Sequence, residues 1–363
     1  MQWWHIYVGA WLAAFLMATA FTWLLRALAP HLGFLDRPFA EGHKRHGRPV
    51  PVLGGVAMFL AWALVIGAGL GLAFGGAHWF PAHISAYLSG VRAVLPQLCW
   101  LVGGALAFVI LGLADDRHPL PALTKFVCQL LICGLAAAFA VRVTLFSQNP
   151  VITWTLTTFW LLLIVNAVNF LDNMDGLAGG TVAIAAFFFA LVSGVRGQYF
   201  VTVLSTVTCA TACGFLVFNR PPASIFMGDA GSLFLGFCLG LVGALTTYYL
   251  PGETPTLAPL LMPVLILAVP IFDLLAVVVI RARLGRPFYI GDNRHISHRF
   301  ERMGIGRGKA VLAVLLLVFA SGAGAVTLIW LPLVGAMLVF LQILAILTII
   351  SLLHTYVHGD REN

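Results

Sequence analysis

The sequence predicts an all-α integral membrane protein with about 11 transmembrane helices. Of its 363 residues, 61% are hydrophobic and only 9% are charged, whereas soluble domains carry about 25% charged residues. The mean hydropathy is +0.99, and long apolar runs separated by short polar segments fill the chain. A helix needs about 20 mostly apolar residues to cross a bilayer, so each of these runs is a candidate span.

The apolar runs divide the chain into spans that form a single domain, residues 1–363. The expected spans are 6–28, 53–74, 94–113, 120–141, 151–171, 178–195, 199–218, 231–250, 257–280, 310–330 and 331–353. Pro332 restricts the residue before it and separates the last two spans. The first run has neither a basic leading segment nor a small-residue cleavage site, so we expect a retained helix rather than a signal peptide.

Loop charges predict the orientation, with the N-terminus outside and the C-terminus in the cytoplasm. All of the 20 Lys and Arg residues except Arg92, Arg142 and Arg196 then lie on the cytoplasmic side, as the positive-inside rule requires. All of the 13 acidic residues except Glu253 lie on that side as well. Acidic residues contribute little to orientation, so their accumulation on one face indicates a functional site there.

Composition also excludes two other classes of protein. The net charge of +7 could indicate a nucleic-acid partner, but the basic residues lie in short loops between apolar runs rather than on one soluble face. The six cysteines fall inside apolar segments and lack the C-x-x-C spacing of metal sites. We therefore expect no nucleic-acid partner, and we interpret the cysteines as small buried hydrophobic residues.

A pair of adjacent carboxylates stands at the end of the third expected span. Asp115 and Asp116 precede Arg117 there. Neighbouring carboxylates repel each other, so either one of them has a raised pKa or a cation keeps both ionised. Either arrangement suits proton abstraction or metal binding. The alternative is a polar turn that ends the helix beside Arg117.

Amide and carboxylate side chains recur every third residue near the end of the fifth expected span. This spacing places Asn166, Asn169 and Asp172 on one flank of a helix, and Asp175 and Gly176 follow in a tight turn. Polar side chains at a membrane edge are costly unless they bind something, and Mg²⁺ prefers oxygen ligands. The pattern indicates a metal site, and the alternative is hydrogen bonding between helices followed by a turn.

A single carboxylate stands where the eighth expected span begins. Asp229 lies between Gly228 and Gly231, after a pair of prolines that ends the preceding helix. A carboxylate in this place can cap the helix. It can also hold a metal beside backbone N–H groups that face a phosphate. Both interpretations stay open at this point.

Two basic segments lie in the longest polar loops. The later one contains Arg294, His295, His298 and Arg299, which can bind phosphate oxygens and donate protons. The alternative is a loop that attracts anionic lipid. The earlier one contains Lys44 and is interrupted by Pro and Gly before the second span; alone it indicates little.

Carboxylates, amides, cations and imidazoles on one face are typical of a metal-assisted phosphoryl-transfer site. The P-loop pattern G-x-x-x-x-G-K-[ST] is absent. In their order along the chain, from 43–55 to 295–299, the motifs resemble those of the polyprenyl-phosphate N-acetylhexosamine-1-phosphate transferase family. The resemblance implies the helical membrane fold of that family, a Mg²⁺ cofactor with Mn²⁺ as the alternative, and release of UMP.

The resemblance also implies roles for residues in every motif. The metal ligands by resemblance are Asp229 and Asn169. The catalytic residues by resemblance are Asp115, Asp116, Asp172, Asp175, His295 and His298. The substrate-binding residues by resemblance are Lys44, Asn219, Phe226, Arg294 and Arg299. Among them, Asn219 and Phe226 match positions that hold the uridine, with Phe226 stacked on the uracil.

The basic loop departs from the family pattern at one position. The family often has His-x-His-His, where this chain has His295-Ile-Ser297-His298. The role of the middle His is then either dispensable or taken by Ser297, Arg294 or Arg299. We therefore expect the substitution Ser297→His to be tolerated and His298→Ala to reduce turnover.

The chain is more similar to the branch that uses UDP-N-acetylglucosamine and related sugars. The branch that uses UDP-MurNAc-pentapeptide has a longer His run before an acidic residue, where this chain has Ser297-His298-Arg299. The resemblance implies UDP-N-acetylhexosamine and undecaprenyl phosphate as substrates, with the site on the cytoplasmic face of the bacterial inner membrane. A phospho-MurNAc-pentapeptide transferase is the alternative. A homodimer, the exact sugar, the lipid length and the pathway stay open.

An ion-coupled membrane transporter is a more remote alternative. Transporters place their intramembrane acids near the bilayer midplane, in broken helices and often in inverted repeats. Here the acids fall at the ends of the expected helices on one face, and the sequence shows no repeat. The pattern therefore favours the enzyme.

Overall fold

A computed structural model of the protein describes residues 2–36, 49–75, 79–88, 90–143, 147–250, 252, 254–285, 287 and 295–359. In these ranges the chain is almost entirely helical. The helices are α1 Trp3–Leu32, α2 Gly54–Gly75, α3 Ala82–Leu88, α4 Val91–Arg117, α5 Ala122–Phe139, α6 Pro150–Leu171, α7 Leu177–Val195, α8 Tyr199–Asn219, α9 Gly228–Leu245, α10 Met262–Ile266, α11 Ala268–Arg283, α12 Ile296–Arg302, α13 Arg307–Thr327 and α14 Leu333–Gly359.

Among the described residues, ten helices are long and apolar enough to cross a membrane, and the number rises to eleven if one bent pair counts as a single span. The structure therefore has the architecture of an all-α, multi-pass membrane protein. The expected break at Pro332 is confirmed, because α13 ends at Thr327 and α14 begins at Leu333. The eighth span begins at Gly228 rather than at residue 231, which places Asp229 inside the helix.

The ninth span is not the straight helix expected over residues 257–280. Its two parts, Ala258–Ile266 and Ala268–Arg283, meet at an angle of 67°. Pro270 accounts for the break, because its ring collides with the carbonyl group four residues earlier and it has no N–H to donate. The second part, α11, runs from this bend toward the basic loop that contains the His motif, residues 295–298.

Helix α9 lies at the centre of the bundle. It packs against α2, α4, α6, α7 and α8, and its residues from Ala230 to Gly243 are buried on every side. A helix that is apolar all round belongs in the core of a large protein. The N-terminal end of α9 meets the C-terminal ends of α4 and α6, so the charged residues at these ends lie at one face of the bundle.

Small residues allow the neighbouring helices to approach the N-terminal end of α9. A Cβ atom on Gly112 of α4 would collide with the backbone nitrogen of Ala230, and one on Gly55 of α2 would collide with the backbone nitrogen of Gly231. Small residues at helix contacts let backbones pack closely inside a bilayer. This close contact fixes the position of Asp229 relative to α4.

A short β-structure connects the segment before α2 to the segment before α9. Strands β1 (Leu35–Asp36) and β2 (Val50–Pro51) pair antiparallel. The Phe226 backbone N–H then donates to the Pro51 carbonyl at 2.8 Å, and the Gly54 N–H donates to the Phe226 carbonyl at 3.0 Å. The end of the first basic segment is therefore attached to the chain that leads into α9.

Helix α6 leads into the Asn/Asp-rich segment, residues 166–176, and the ends of the helix are well defined. The Asn149 side chain accepts a hydrogen bond from the Val151 N–H at 2.9 Å, with Pro150 in the first turn, and both features favour a helix start. Asp172 leaves the helical conformation after Leu171, and Gly176 adopts a φ of 76° before α7 begins. The left-handed φ at Gly176 makes the tight turn after Asp175 accessible to the chain.

Candidate active site

The adjacent carboxylates at the end of α4 face in different directions. The two oxygens of Asp116 accept hydrogen bonds from the backbone N–H groups of Asp229, at 2.8 Å, and Ala230, at 3.2 Å. The first N–H groups of a helix have no partner within it, so Asp116 satisfies two of them for α9. Asp116 is thereby committed to holding the N-terminal end of α9.

Asp115 instead faces a lysine. Its Oδ2 accepts a hydrogen bond from Lys125 Nζ at 2.8 Å, and its Oδ1 accepts one from the Leu120 N–H at 2.7 Å. The same Lys125 ammonium donates to Oδ2 of Asp229. Lys125 therefore joins the carboxylate of α4 to the carboxylate of α9.

The carboxylate of Asp229 does not cap its own helix. The N-cap position of α9 is Met227, without a side-chain cap bond, and Asp229 lies within the first turn. Its Oδ1 accepts a hydrogen bond from Asn169 Nδ2 at 2.7 Å, and Asn169 also donates to Ser232 Oγ at 2.9 Å. The interpretation of Asp229 as an N-cap is wrong, because this side chain faces α5 and α6 instead.

The Asn/Asp-rich segment divides between the site and the scaffold. Asn166 donates to Gln129 Oε1 of α5 at 2.9 Å, so it connects two helices, as the structural alternative proposed, and does not join the other side chains. Asp172 lies at the end of α6 and interacts electrostatically with Asp229, Asp116 and Asp175. The structure therefore brings Asn169 to Asp229 and places Asp172 near the acids of α4 and α9, with Asp175 beside Asp172. Asn166 lies outside this group.

The turn after α6 is attached to the loop after α8. Asp175 Oδ2 accepts a hydrogen bond from the Ala223 N–H at 2.9 Å. Asn219 is 4% exposed, and its amide accepts from the Gly176 N–H and donates to the Ile225 carbonyl, both at 2.9 Å. Asn219 thus connects the two loops, and its bond to Ile225 lies one residue before Phe226.

The His motif begins helix α12 and docks beside the same turn. His295 Nδ1 lies 2.7 Å from Oδ2 of Asp273 in α11, and its ring meets that of Phe170 edge to face. The Ser297 hydroxyl donates to Asn173 Oδ1 at 2.6 Å. Because Asn173 follows Asp172 directly, these contacts place the His motif next to the carboxylates.

The second imidazole of the motif lies within an ion-pair network on α12. His298 Nδ1 is 3.2 Å from Glu301 Oε2, and Arg307 Nε donates to Glu301 Oε1 at 3.0 Å. Burial lowers the pKa of His298, and its hydrogen bond to Glu301 offsets this only in part. Burial would raise the pKa of Glu301, but its hydrogen bonds with His298 and Arg307 hold that pKa below its usual range. Arg299, in the same helix, is buried.

Among the described residues, the site contains a carboxylate cluster with an excess of negative charge. Its members are Asp115, Asp116, Asp172, Asp175 and Asp229. Asp172 has an open side toward solvent, but desolvation by the surrounding protein and then the charges of Asp229, Asp116 and Asp175 raise its pKa to about 8. Like charges held this close destabilise one another unless a cation intervenes. The cluster is therefore suited to a cation or to a transferable proton.

The donor set fits a magnesium ion that shares its coordination with a substrate. Among the residues that the structure describes, no three His, Cys, Asp or Glu side chains form a metal cage. Mg²⁺ is usually held by one or two carboxylates together with substrate phosphates and water. Asp229, with few other protein ligands beside it, matches this pattern. The oxygen and nitrogen of an Asn amide are assigned from the hydrogen-bond network, so Asn169 can turn its oxygen toward a cation beside Asp229.

Comparisons with known proteins identify the family of this chain. Residues 98–247 match the family model of glycosyl transferase family 4. A Bacillus subtilis protein, described as a probable undecaprenyl-phosphate N-acetylglucosaminyl 1-phosphate transferase, is 30% identical over 356 residues, which cover 94% of this chain and 92% of that protein. The chain belongs to this family of transferases. The transporter alternative is therefore wrong.

Two further relatives are similar to this chain over most of their length. A decaprenyl-phosphate N-acetylglucosaminephosphotransferase of Mycobacterium tuberculosis is 32% identical, over 84% of this chain and 78% of that protein. An undecaprenyl-phosphate alpha-N-acetylglucosaminyl 1-phosphate transferase of Salmonella typhi is 27% identical, over 86% of this chain and 82% of that protein. The family match of residues 98–247 extends from α4 to the end of α9 and so includes the carboxylate cluster.

The sequence reasoning missed two charged residues at this family site. Lys125 was counted only as a cytoplasmic cation, although it lies inside an expected span, and Asp273 was counted only among the acids of one face. A charged residue within a membrane span is itself a signal of function, and both positions carry it. Of the predicted substrate-binding residues, Lys44 and Arg294 lie outside the described residues.

Proposed function

We propose that this protein transfers N-acetylglucosamine-1-phosphate from UDP-N-acetylglucosamine to undecaprenyl phosphate and releases UMP. The observation that carries the proposal is the carboxylate cluster where α4, α6 and α9 meet, held together by Lys125. Family membership supports the reaction type, and the names of the relatives above support the sugar and the polyprenyl acceptor. The product would be a lipid-linked sugar pyrophosphate that initiates a cell-envelope polysaccharide.

The proposed site lies on the cytoplasmic face of the bacterial inner membrane. The concentration of Lys, Arg and acidic residues in the segments at this end of the bundle supports that assignment. A nucleotide sugar then enters from the cytoplasm, while the polyprenyl chain stays in the lipid. The two substrates would meet at the helix ends, where the structure gathers the carboxylates.

Asp229 and Asn169 would hold Mg²⁺, which supplies charge neutralisation for the pyrophosphate when it is bound. Asp115 is the better candidate for the base of the adjacent pair, because both oxygens of Asp116 are already bonded to backbone N–H groups of α9. Lys125 would keep the Asp115 carboxylate ionised and oriented through its 2.8 Å contact. Asp172 and Asp175 would orient the phosphates through the same turn.

In the proposed reaction, Asp115 accepts the proton of the lipid phosphate. An oxygen of that phosphate then attacks the sugar-bearing phosphorus of the nucleotide. A new P–O bond forms as the P–O bond to the UMP phosphate breaks, and UMP departs with the bonding electron pair. One pyrophosphate replaces another, so we expect little net driving force and a reversible reaction.

The loops beside the carboxylates would bind the rest of the nucleotide. Phe226, attached to the segment before α2 and half-buried, would stack on the uracil. The His motif would contact the phosphates through His295 and His298, with Arg299 adding positive charge nearby. Charge-assisted hydrogen bonds of this kind are about twice as strong as neutral ones.

The test is UMP release by the purified full-length protein in detergent. We expect release from UDP-N-acetylglucosamine only when undecaprenyl phosphate and Mg²⁺ are both present, and loss of release after chelation with EDTA. UDP-MurNAc-pentapeptide serves as the matched donor control, and we expect no turnover with it. Comparable turnover of the pentapeptide donor would replace the proposal by the peptidoglycan alternative, and no UMP release with any donor would refute it.

A single displacement is the form of the reaction that we propose, because the lipid phosphate is already a competent nucleophile. A covalent aspartyl intermediate would allow labelled UMP to exchange into UDP-N-acetylglucosamine without any lipid. The measurement is this exchange in delipidated protein. We expect none, and rapid exchange would instead assign a nucleophile's role to Asp115.

A further inference from the structure

Asp273 is a buried carboxylate within a membrane-spanning helix. It lies in α11, below the bend of the ninth span, and is 2% exposed. A charged side chain inside a membrane protein is costly unless it is paired. Asp273 must therefore be stabilised by the groups that it contacts, and these groups indicate its role.

Both oxygens of Asp273 point to the start of the His motif. Oδ2 lies 2.7 Å from His295 Nδ1, and Oδ1 accepts a hydrogen bond from the Ile296 N–H at 2.6 Å. His295 is itself 5% exposed and precedes the first residue of α12. One carboxylate thus holds the imidazole ring and the backbone that carries it.

An ionised carboxylate can only accept hydrogen bonds. The His295 nitrogen that faces Asp273 must then be the donor, so Nδ1 carries a proton. The neutral ring is left with an unprotonated Nε2, because the bond made by one nitrogen determines the state of the other. Nε2 becomes the nitrogen through which the ring can exchange a proton with a substrate.

Two further contacts hold the start of α12 beside the end of α6 and the turn that follows it. The ring of His295 packs edge to face on Phe170, with ring centres 6.1 Å apart. Phe170 is adjacent to Asn169, which donates to Asp229. The Ser297 hydroxyl, which donates to Asn173 Oδ1 at 2.6 Å, holds the next turn of the motif against the same segment.

We propose that Asp273 is a positioning residue for the transfer reaction: it fixes His295 as the tautomer protonated on Nδ1 and directs Nε2 toward the phosphates of the substrates. The expected effect of Asp273 on turnover rests on the proposed function. The tautomer itself is a property of the resting protein, so it can be measured whether or not the protein is a transferase.

The first experiment is ¹⁵N NMR of protein labelled in its histidine rings, recorded over a pH series that extends into the alkaline range, so that the spectrum of the ring with one proton is identified. The His295 signals are assigned by their loss in His295→Ala. We expect a protonated Nδ1 in the wild type and a shift toward protonated Nε2 in Asp273→Asn, whose amide can donate to the ring. A protonated Nε2 in the wild type, or an unchanged tautomer in Asp273→Asn, overturns the proposal.

The second experiment is a double-mutant cycle on UMP release. Asp273→Asn keeps an oxygen that can accept from the Ile296 N–H, so α12 stays anchored. We expect it to lower kcat about tenfold to a hundredfold, up to the lower end of general acid–base effects, because the ring is reoriented rather than removed; the change in KM should be smaller. In the His295→Ala background the same substitution should change kcat by less than about twofold.

The outcomes of the two experiments separate the two proposals. Equal losses from Asp273→Asn in both backgrounds, or a large fall in Tm with the loss of activity, would assign Asp273 a purely structural role and overturn the inference. A wild-type protein that shows the expected tautomer but releases no UMP would instead refute the proposed function and leave the Asp273–His295 pairing intact.

Discussion

At the scale of single residues, the adjacent aspartates Asp115 and Asp116 at the end of α4 have different partners, and these partners determine their different roles. Asp116 holds two backbone N–H groups of α9, whereas Asp115 faces Lys125 and Leu120. A one-residue step along a helix rotates a side chain by about 100°. Adjacent carboxylates on a helix can therefore serve a structural purpose and a chemical one at the same time.

We predict that Asp115→Asn lowers kcat about a hundredfold or more, as expected for loss of a general base, with little change in Tm. Asp116→Asn should lose less activity, because its amide oxygen can still accept from one N–H group of α9. The measurement is UMP release together with the melting temperature in detergent. A larger loss of turnover in Asp116→Asn than in Asp115→Asn would contradict this assignment.

The His motif changes one expectation from the sequence. Ser297 is fully buried and its hydroxyl bonds Asn173, so an imidazole at this position has no space and loses that bond. We now predict that Ser297→His is poorly tolerated, with a cost of about 1–3 kcal/mol from overpacking. Tm of the variant checks this, with Ser297→Ala as the control for the lost bond alone. An unchanged Tm in Ser297→His would restore the expectation drawn from the sequence.

The expected role of His298 stays a prediction. A hydrogen bond to a charged phosphate is worth roughly 1.5–3 kcal/mol, so His298→Ala should lower turnover about tenfold to a hundredfold. Steady-state kinetics with UDP-N-acetylglucosamine measure the effect, and Glu301→Gln serves as a control for loss of the ion-pair network alone. Near-normal turnover in His298→Ala would remove this imidazole from the proposed site.

At the scale of elements, the site depends on how closely α2 and α4 approach α9. Gly55 and Gly112 leave no space for a Cβ atom against the backbone of α9 at Ala230 and Gly231. The approach allows Asp116 to reach the N–H groups of α9. The position of Asp229 is therefore set by backbone contact rather than by its own side chain.

We predict that Gly112→Ala lowers both Tm and turnover, because the added methyl group must separate α4 from α9. A cost of about 1–3 kcal/mol is typical of such overpacking. Gly103→Ala is the matched control, since it lies in the same helix and a Cβ atom there meets nothing within 4 Å. Equal Tm values for the two variants would show that the close contact is unimportant.

Much of the element pattern followed from the sequence, because apolar runs of the length of a bilayer identify helices and Pro332 marks a boundary. The 67° bend in the ninth span could not be predicted from the sequence. Pro270 is compatible with a kinked helix or with the first turn of a new helix, and only the packing decides between them. The carboxylate motifs were recognised by spacing. The partners of Asp116, Asp229 and Asp273 were not, because they belong to helices far apart in sequence.

At the scale of the whole molecule, the orientation in the membrane determines which compartment supplies the nucleotide. The functional helix ends lie at one face of the bundle, and the excess of basic residues in the neighbouring segments predicts that this face is cytoplasmic. The loop between α9 and α10 then lies outside. Orientation is thus the link between the fold and the proposed substrate.

Reporter fusions test this orientation directly. Alkaline phosphatase fused after Gly252 should be active, because that loop is predicted to be outside the cytoplasm, and green fluorescent protein fused after Asn363 should fluoresce. The inverse pattern would place the carboxylate cluster on the outer face of the membrane, which UDP-sugars in the cytoplasm do not reach. A phosphatase fusion after Asn363 is the control and should be inactive.

The substitution Asp229→Asn tests the central claim, that a metal-assisted transferase site is built around the first turn of α9. Asn has the size of Asp and keeps one oxygen that can accept a hydrogen bond from Lys125, but it lacks the charge that a hard cation prefers. UMP release is measured across a Mg²⁺ titration for both proteins, with Tm recorded in parallel. We predict that the variant is folded, with nearly unchanged Tm, and inactive at all accessible Mg²⁺ concentrations. A variant that retains most of its turnover with the same Mg²⁺ requirement would contradict the account and move the metal to another carboxylate of the cluster.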